Sequence, residues 1–314
     1  EITLVYDFGG GTFDMSLITR NGNQVHVLAK DGISNLGGKE FDEIISAEIH
    51  DVYQRCYGES LPMSPTTINQ LRSHSEDIKL FLSTQAKPYY SQWLPLGSHC
   101  FEFVQSAAGF RQKSKSLLDQ TEAVIQRCLR SLGISFQDLN RILLVGGTCK
   151  MPLIKEYWQN KINPATQQID FYDPLNAVAS GAAIYASTLT TASGRIEAPL
   201  QLHTVSTYNI AIASGDEKRS YDILINKNSP LPVTAKRIFN MSHFPGGTKV
   251  QLVQFWDSSE KIFELGTIQI DVAMANMHKQ IELIVENKAN NTIGVKMTDA
   301  ISGKPLSVNW DQHK

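Results

Sequence analysis

Val5-Tyr6-Asp7-Phe8-Gly9-Gly10-Gly11-Thr12-Phe13-Asp14 stands almost at the start of the chain, and its two flanks share one period. Ile2 and Leu4 precede the glycines and Phe13, Met15 and Leu17 follow them, so apolar residues recur at every second position, as in strands. The glycines therefore read as the turn of a β-hairpin. Three of them in a row allow positive φ and bring bare N–H groups close to a ligand, and such a nest of amides cradles phosphate. Asp7 is placed to hold a hydrated Mg²⁺ accompanying the phosphates, and Thr12 to donate a hydroxyl to the same anion. A glycine hairpin with no ligand is the alternative. The acid before the glycines and the hydroxyl after them favour phosphate. No Lys-Ser/Thr follows, so this is not the helix-capping P-loop.

Two further glycine turns lie downstream. Leu36-Gly37-Gly38 precedes a helix expected from Lys39 to Tyr57, with Phe41, Ile44, Ile45, Ile49 and Val52 on one face. Free N–H groups and the macrodipole favour an anion there, although a plain turn fits as well. A second amphipathic helix is expected over residues 66–85, with Ile68, Leu71, Ile78, Phe81 and Leu82 buried. On its polar side, Glu76 and Lys79 are spaced either to pair with each other or to reach a ligand. Short strands follow over 87–104 and a long helix over 110–132. Then Arg141 to Val145 reads as a buried strand ending in Gly146-Gly147, with a helix starting near Pro152. After Asp173-Pro174, the small residues from Ala177 to Ala186 predict a helix packed closely on a sheet.

With 314 residues, 42% of them hydrophobic, the chain is long enough for about two cores. The formal net charge of -2, without a basic block, gives no footprint for nucleic acid. No apolar run approaches a membrane span and no signal peptide opens the chain. Cys56, Cys100, Cys128 and Cys149 are scattered, without metal-ligand spacing, as in a reducing, cytoplasmic compartment. The first residue is Glu1 rather than Met, inside an apparent strand, which reads as part of a longer protein.

From Thr190-Thr191-Ala192-Ser193-Gly194 the texture changes to a linker. Beyond it come strand-length alternations over 208–213, 221–225, 236–239, 250–255, 266–272, 280–285 and 292–297, with turn residues between them. Short strands with regular turns and no helix indicate a β-sandwich. No acid pair, nucleophile–base set or metal cluster appears in it, so it reads as a binding module.

The glycine hairpin, the two later glycine turns, the Asp173-Pro174…Ala177-Val178 segment and the β-rich tail together resemble the seventy-kilodalton heat-shock chaperones of the DnaK type. The resemblance implies an α/β actin-like ATPase lobe (ribonuclease-H-like) followed by an all-β sandwich. It places the lobe at 1–190, with an inserted subdomain over about 39–110, a linker at 191–203 and the sandwich at 204–314. It implies ATP or ADP with Mg²⁺ as cofactor. Gly9, Gly10, Gly11 and Thr12 would hold the phosphates, with Asp7 acting through the metal and its water. Gly37 and Gly38 would form a second phosphate-side turn. Glu76, Lys79 and Ser83 would meet the adenosine, and Gly146, Gly147 and Lys150 would line the same pocket.

Leu80 and Lys150 stand where the family stacks adenine between arginines, and Leu175 where it has an acid. In the sandwich, Ile212, Phe239, Val250 and Leu252 either line a cleft for an extended apolar peptide or belong to the core. Partners implied are unfolded or extended polypeptide segments and co-chaperones. The expected function is ATP-dependent binding of such segments. The first nucleotide lobe and the helical lid have no counterpart in the chain, so turnover of ATP by this segment alone is not expected. A non-enzymatic adaptor with a degenerate nucleotide site is the alternative. A sugar kinase of the actin-like fold would lack the β-rich tail.

Overall fold

A computed structural model describes residues 1–84, 87–173, 175–189, 200–213, 221–244, 246–256 and 262–312. Most of the expected linker, Pro174 and Pro245 lie outside the described residues. The chain groups into two units. One comprises Glu1–Asn23 and Asp31–Leu200, the other Gln24–Lys30 and Gln201–Lys314.

In the first unit, β1 (Ile2–Phe8) and β2 (Phe13–Asn21) pair antiparallel from Ile2↔Thr19 to Phe8↔Phe13, with Gly9–Thr12 as their turn. The strand β3 (Gln24–Ile33) follows, and only its last three residues group with this unit. Next come α1 (Gly38–Tyr57), α2 (Pro65–Thr84), β4 (Tyr89–Leu96), β5 (His99–Ser106) and α3 (Ala107–Ser131). β6 (Arg141–Val145) lies parallel beside β1. After α4 (Pro152–Gln159), β7 (Gln168–Phe171) lies parallel beside β6. The sheet thus runs β7-β6-β1-β2.

Period-two burial drives this sheet. Leu4, Tyr6, Phe8, Phe13 and Leu17 are wholly buried, and Tyr6 meets Trp158 of α4 edge to face at 5.3 Å. The Tyr6 hydroxyl is 2.9 Å from Thr121 Oγ1 on α3, which satisfies a polar group in an apolar core. Gly58 ends α1 in the left-handed conformation, and the Ser106 hydroxyl caps α3 by accepting from Gly109 N–H. α1 and α2 pack side by side, with the Ser46 and Ser75 hydroxyls 2.8 Å apart at their seam.

The last helix of the first unit, α5 (Ala177–Leu189), departs from expectation. Instead of seating on a sheet it is open to solvent, with Val178 and Ile184 67% and 59% exposed. Its apolar texture satisfies helix propensity while little of it is covered by the described residues.

The second unit carries β8 (Gln201–His203), which runs parallel to the start of β3. Then come β9 (Asn209–Ala213), β10 (Tyr221–Ile225), β11 (Val233–Asn240), β12 (Thr248–Phe255) and β13 (Phe263–Ile270). A short α6 (Val272–Met277) precedes β14 (Gln280–Asn287) and β15 (Ile293–Asp299), with β16 (Pro305–Leu306) and β17 (Asn309–Gln312) at the end. One sheet is ordered β10-β9-β12-β13-β17 and the other β11-β14-β15-β16. Both feed one core, in which Ile210, Val250, Leu252 and Ile268 of the first meet Ile281, Leu283, Val285 and Met297 of the second. β14 shows the cause, since every second residue from Ile281 to Asn287 is buried.

α6 corrects the sequence reading, which extended a strand to residue 272. Asp271 caps it by accepting from Met274 N–H at 2.7 Å, and a capped turn overrides β-propensity here.

Candidate functional site

The three glycine turns of the first unit meet at one backbone oxygen. Gly9 N–H donates to Thr12 O at 3.0 Å and closes the hairpin turn. The Gly9 carbonyl accepts from Gly38 N–H at 3.0 Å and from the Thr148 hydroxyl at 2.8 Å. Lys39 N–H donates to Gly10 O at 3.0 Å. Residues 9–12, 37–39 and 146–148 are thereby tied into a single floor.

Glycine is required there mainly for close approach. A Cβ on Gly37 would stand 2.4 Å from Gly11 N, and one on Gly146 would stand 2.3 Å from Phe8 O. Gly146 also has φ +87°, in the region that favours glycine. None of Gly9, Gly10 and Gly11 has positive φ, contrary to the sequence expectation. Their bare backbones instead let α1 begin directly against the loop. Gly10 has open space on its Cβ side and faces a cleft of about 540 Å³.

That cleft gathers most of the predicted positions. Gly10, Gly38 and Gly147 form its base, and Glu76, Lys79, Leu80 and Ser83 of α2 form one wall. Lys150, Met151 and Leu175 stand on the other side. Asp7, Gly9, Gly11, Gly37 and Gly146 belong to the turns beneath or beside this base, and Thr12 is exposed at the end of the hairpin. A larger hollow of about 730 Å³ lies between α1, β5 and α3, where Lys113 pairs with Glu48. None of the three glycine turns reaches it.

The expected Glu76–Lys79 pair does not form. Lys79, buried, turns across to α1, where its Nζ lies 2.7 Å from Asp42 Oδ1 and donates to Gly38 O at 3.2 Å. Spacing along one helix gave no view of this neighbour from another helix. Burial pushes the Asp42 carboxyl above its ordinary range, against the pull of Lys79 and with added repulsion from Glu76 and Glu40. Ser83 donates its hydroxyl to Lys79 O at 2.7 Å, so its proton is committed to its own helix and its oxygen can only accept from a ligand.

Asp7 and Asp14 face each other across the hairpin. Burial raises the Asp7 carboxyl above its usual range, and the charge of Asp14 adds to the shift. Two opposed carboxylates beside the glycine loop are hard oxygen donors that a hydrated Mg²⁺ would relieve of their repulsion, so the donor set fits that ion. Asp14, Lys39 and Asp42 were not among the predicted site residues. Asp14 had a signal, because the strand period sets it opposite Asp7.

In the second unit, Val250 and Leu252 are buried in the shared core, with Ile212 and Phe239 packed against it and partly buried. Ile212 pairs with Leu252 across β9 and β12, and the Phe239 ring meets Phe244 at 6.4 Å.

A triple-glycine loop joined to two further glycine turns, beneath a cleft carrying three lysines, has the layout of a phosphate-binding α/β protein. Sequence comparison narrows this class. The family model for Hsp70 protein matches residues 1–312, and the chain belongs to the Hsp70 family. The chaperone protein DnaK of Thermotoga maritima is 28% identical over 326 aligned positions, covering 98% of this chain and 52% of its own length. That of Halobacterium salinarum is 27% identical over 320 positions, covering 98% and 49%. That of Nitrosopumilus maritimus is 27% identical over 241 positions, covering 75% and 37%. The chain spans about half or less of the length of these relatives. Among the described residues, no helix is long and apolar enough to cross a membrane.

Proposed function

We propose that the first unit is an actin-like lobe that binds ATP or ADP, and that the second is a β-sandwich that grips extended apolar polypeptide, as a segment of a DnaK-type chaperone. Convergence of the three glycine turns on the Gly9 carbonyl, under a cleft walled by α2, is the observation that supports this reading most. Gly10 and its neighbouring turns would face the phosphates, with Asp7 and Asp14 holding hydrated Mg²⁺. The metal, when bound, supplies charge neutralisation between phosphate oxygens and these acids. Glu76, with a carboxylate free to accept from ribose hydroxyls, and Lys150 would border the nucleoside. In the whole protein, nucleotide state would alter the grip on unfolded chains, with co-chaperones acting on the cycle.

A second reading, an adaptor whose nucleotide site has decayed, is favoured by Leu80 and Leu175 at the cleft, where neither side chain offers a planar cation to a base. Fluorescence anisotropy of a labelled, extended Leu-rich peptide, titrated with the chain with and without Mg-ATP, separates the two. Binding that ATP weakens supports the chaperone reading. Binding indifferent to ATP supports the adaptor, and no binding in either condition refutes peptide capture by this segment.

A further inference from the structure

We propose that Lys39 is a phosphate-binding residue of the cleft, a role that rests on the nucleotide reading above. Lys39 stands in the first turn of α1, lines the cleft and is exposed. Its backbone is pinned, because its N–H donates to Gly10 O. Its Nζ lies 3.9 Å from where a Cβ of Gly11 would stand, so the ammonium is over the triple-glycine loop.

The charge serves nothing else that the described residues show. A cation in the first turn of a helix opposes the macrodipole, so Lys39 does not stabilise α1. The next residue, Glu40, does that work by accepting from Gly37 N–H at the helix start. Lys79, buried in the same cleft, is already committed to Asp42 and the Gly38 carbonyl. No carboxylate of the described residues lies within ion-pair distance of Lys39.

A flexible point charge above bare amides is suited to a phosphate group. The ligand class is a nucleoside diphosphate or triphosphate, whose phosphates meet Lys39 and the glycine loop while the nucleoside extends towards α2.

Isothermal titration of the full chain with ADP and with adenosine tests this, using Lys39→Ala, Lys39→Glu and Lys39→Arg. ADP affinity is expected to fall about tenfold in Lys39→Ala, further in Lys39→Glu, and to stay near wild type in Lys39→Arg. Adenosine, lacking phosphate, should bind all four proteins alike. Wild-type binding of ADP that Lys39→Ala and Lys39→Glu leave unchanged overturns the role of Lys39 and leaves the nucleotide reading standing. Equal loss for ADP and adenosine makes Lys39 structural and overturns the inference too. A wild-type chain that binds neither compound refutes the nucleotide reading itself, and the inference with it.

Discussion

Replacing Gly37 by alanine puts one methyl group into the tightest point of the first unit. The added carbon would stand 2.4 Å from Gly11 N and 2.6 Å from Gly11 Cα, and both are backbone atoms that no rotamer change can move. The backbone at Gly37 is extended, with φ -165°, so the cost is overlap and not an unfavourable φ. Relief requires the start of α1 to withdraw from the hairpin loop. Overpacking of this kind costs about 1–3 kcal/mol. Withdrawal also weakens the bonds from Gly38 N–H to Gly9 O and from Lys39 N–H to Gly10 O, at about 1 kcal/mol each. The sum is about 4 kcal/mol, or a fall of about 12 °C in the melting of the first unit.

Gly10→Ala is the matched control, because nothing lies within 4 Å of its added carbon. It should melt within a degree or two of the parent. Calorimetry of the two variants reads the contrast directly. A Gly37→Ala protein whose first-unit transition is unmoved would show that the loops are not packed as described, and the argument for a shared floor would fall.

Three other perturbations follow from the same contacts. Lys79→Met strands the Asp42 carboxylate in a mostly buried place and should cost about 1–3 kcal/mol in urea denaturation, while adding Asp42→Leu should recover most of it. Asp299 accepts from the backbone and hydroxyl of Ser302, faces His278 Nδ1 at 2.7 Å and accepts from Ile301 N–H, and these hold its carboxyl well below the ordinary 3.8. A depressed folded-state value stabilises fully above about pH 4 and is lost as acid carries the pH down through it. The melting temperature of the second unit should therefore drop below about pH 4, and Asp299→Asn should flatten that limb. Finally, Cys56 and Cys100 are exposed while Cys128 and Cys149 are buried, and burial pushes the Cys149 thiol up to about 12. Two thiols should react with a disulfide reagent in the native chain and four in denaturant; rapid native labelling of Cys149 would contradict the core.

Much of the fold could be read from local pattern. Alternation around Gly9–Gly11 gave the hairpin, and 3.6-residue periodicity gave α1, α2 and α3 within a few residues. The glycine turns themselves were legible, because each falls directly after a strand or before a helix that the sequence pattern already gives. What escaped were partnerships set by the meeting of distant elements. Lys79 has Glu76 beside it in sequence, yet Asp42 takes it from another helix, and the ammonium of Lys39 lies near a loop nearly thirty positions earlier. α5 misled for the opposite reason. Its small residues specify a helix capable of close packing, and composition cannot say what, if anything, covers it. In the second unit, alternation assigned Val250 and Leu252 to a buried face without deciding between core and peptide cleft, and the structure puts both in the core.

The Gly9 carbonyl has a mechanical consequence. Because Gly38 and Thr148 both donate to it, and Lys39 holds the next carbonyl, the base of the cleft moves as one rigid block. Any change in the width of the cleft then falls to α2, which reaches that block through a latch, the Lys79 ammonium on Gly38 O and Asp42. A ligand that competes for Lys79 would loosen this end of α2 while the Ser46–Ser75 contact still holds it against α1.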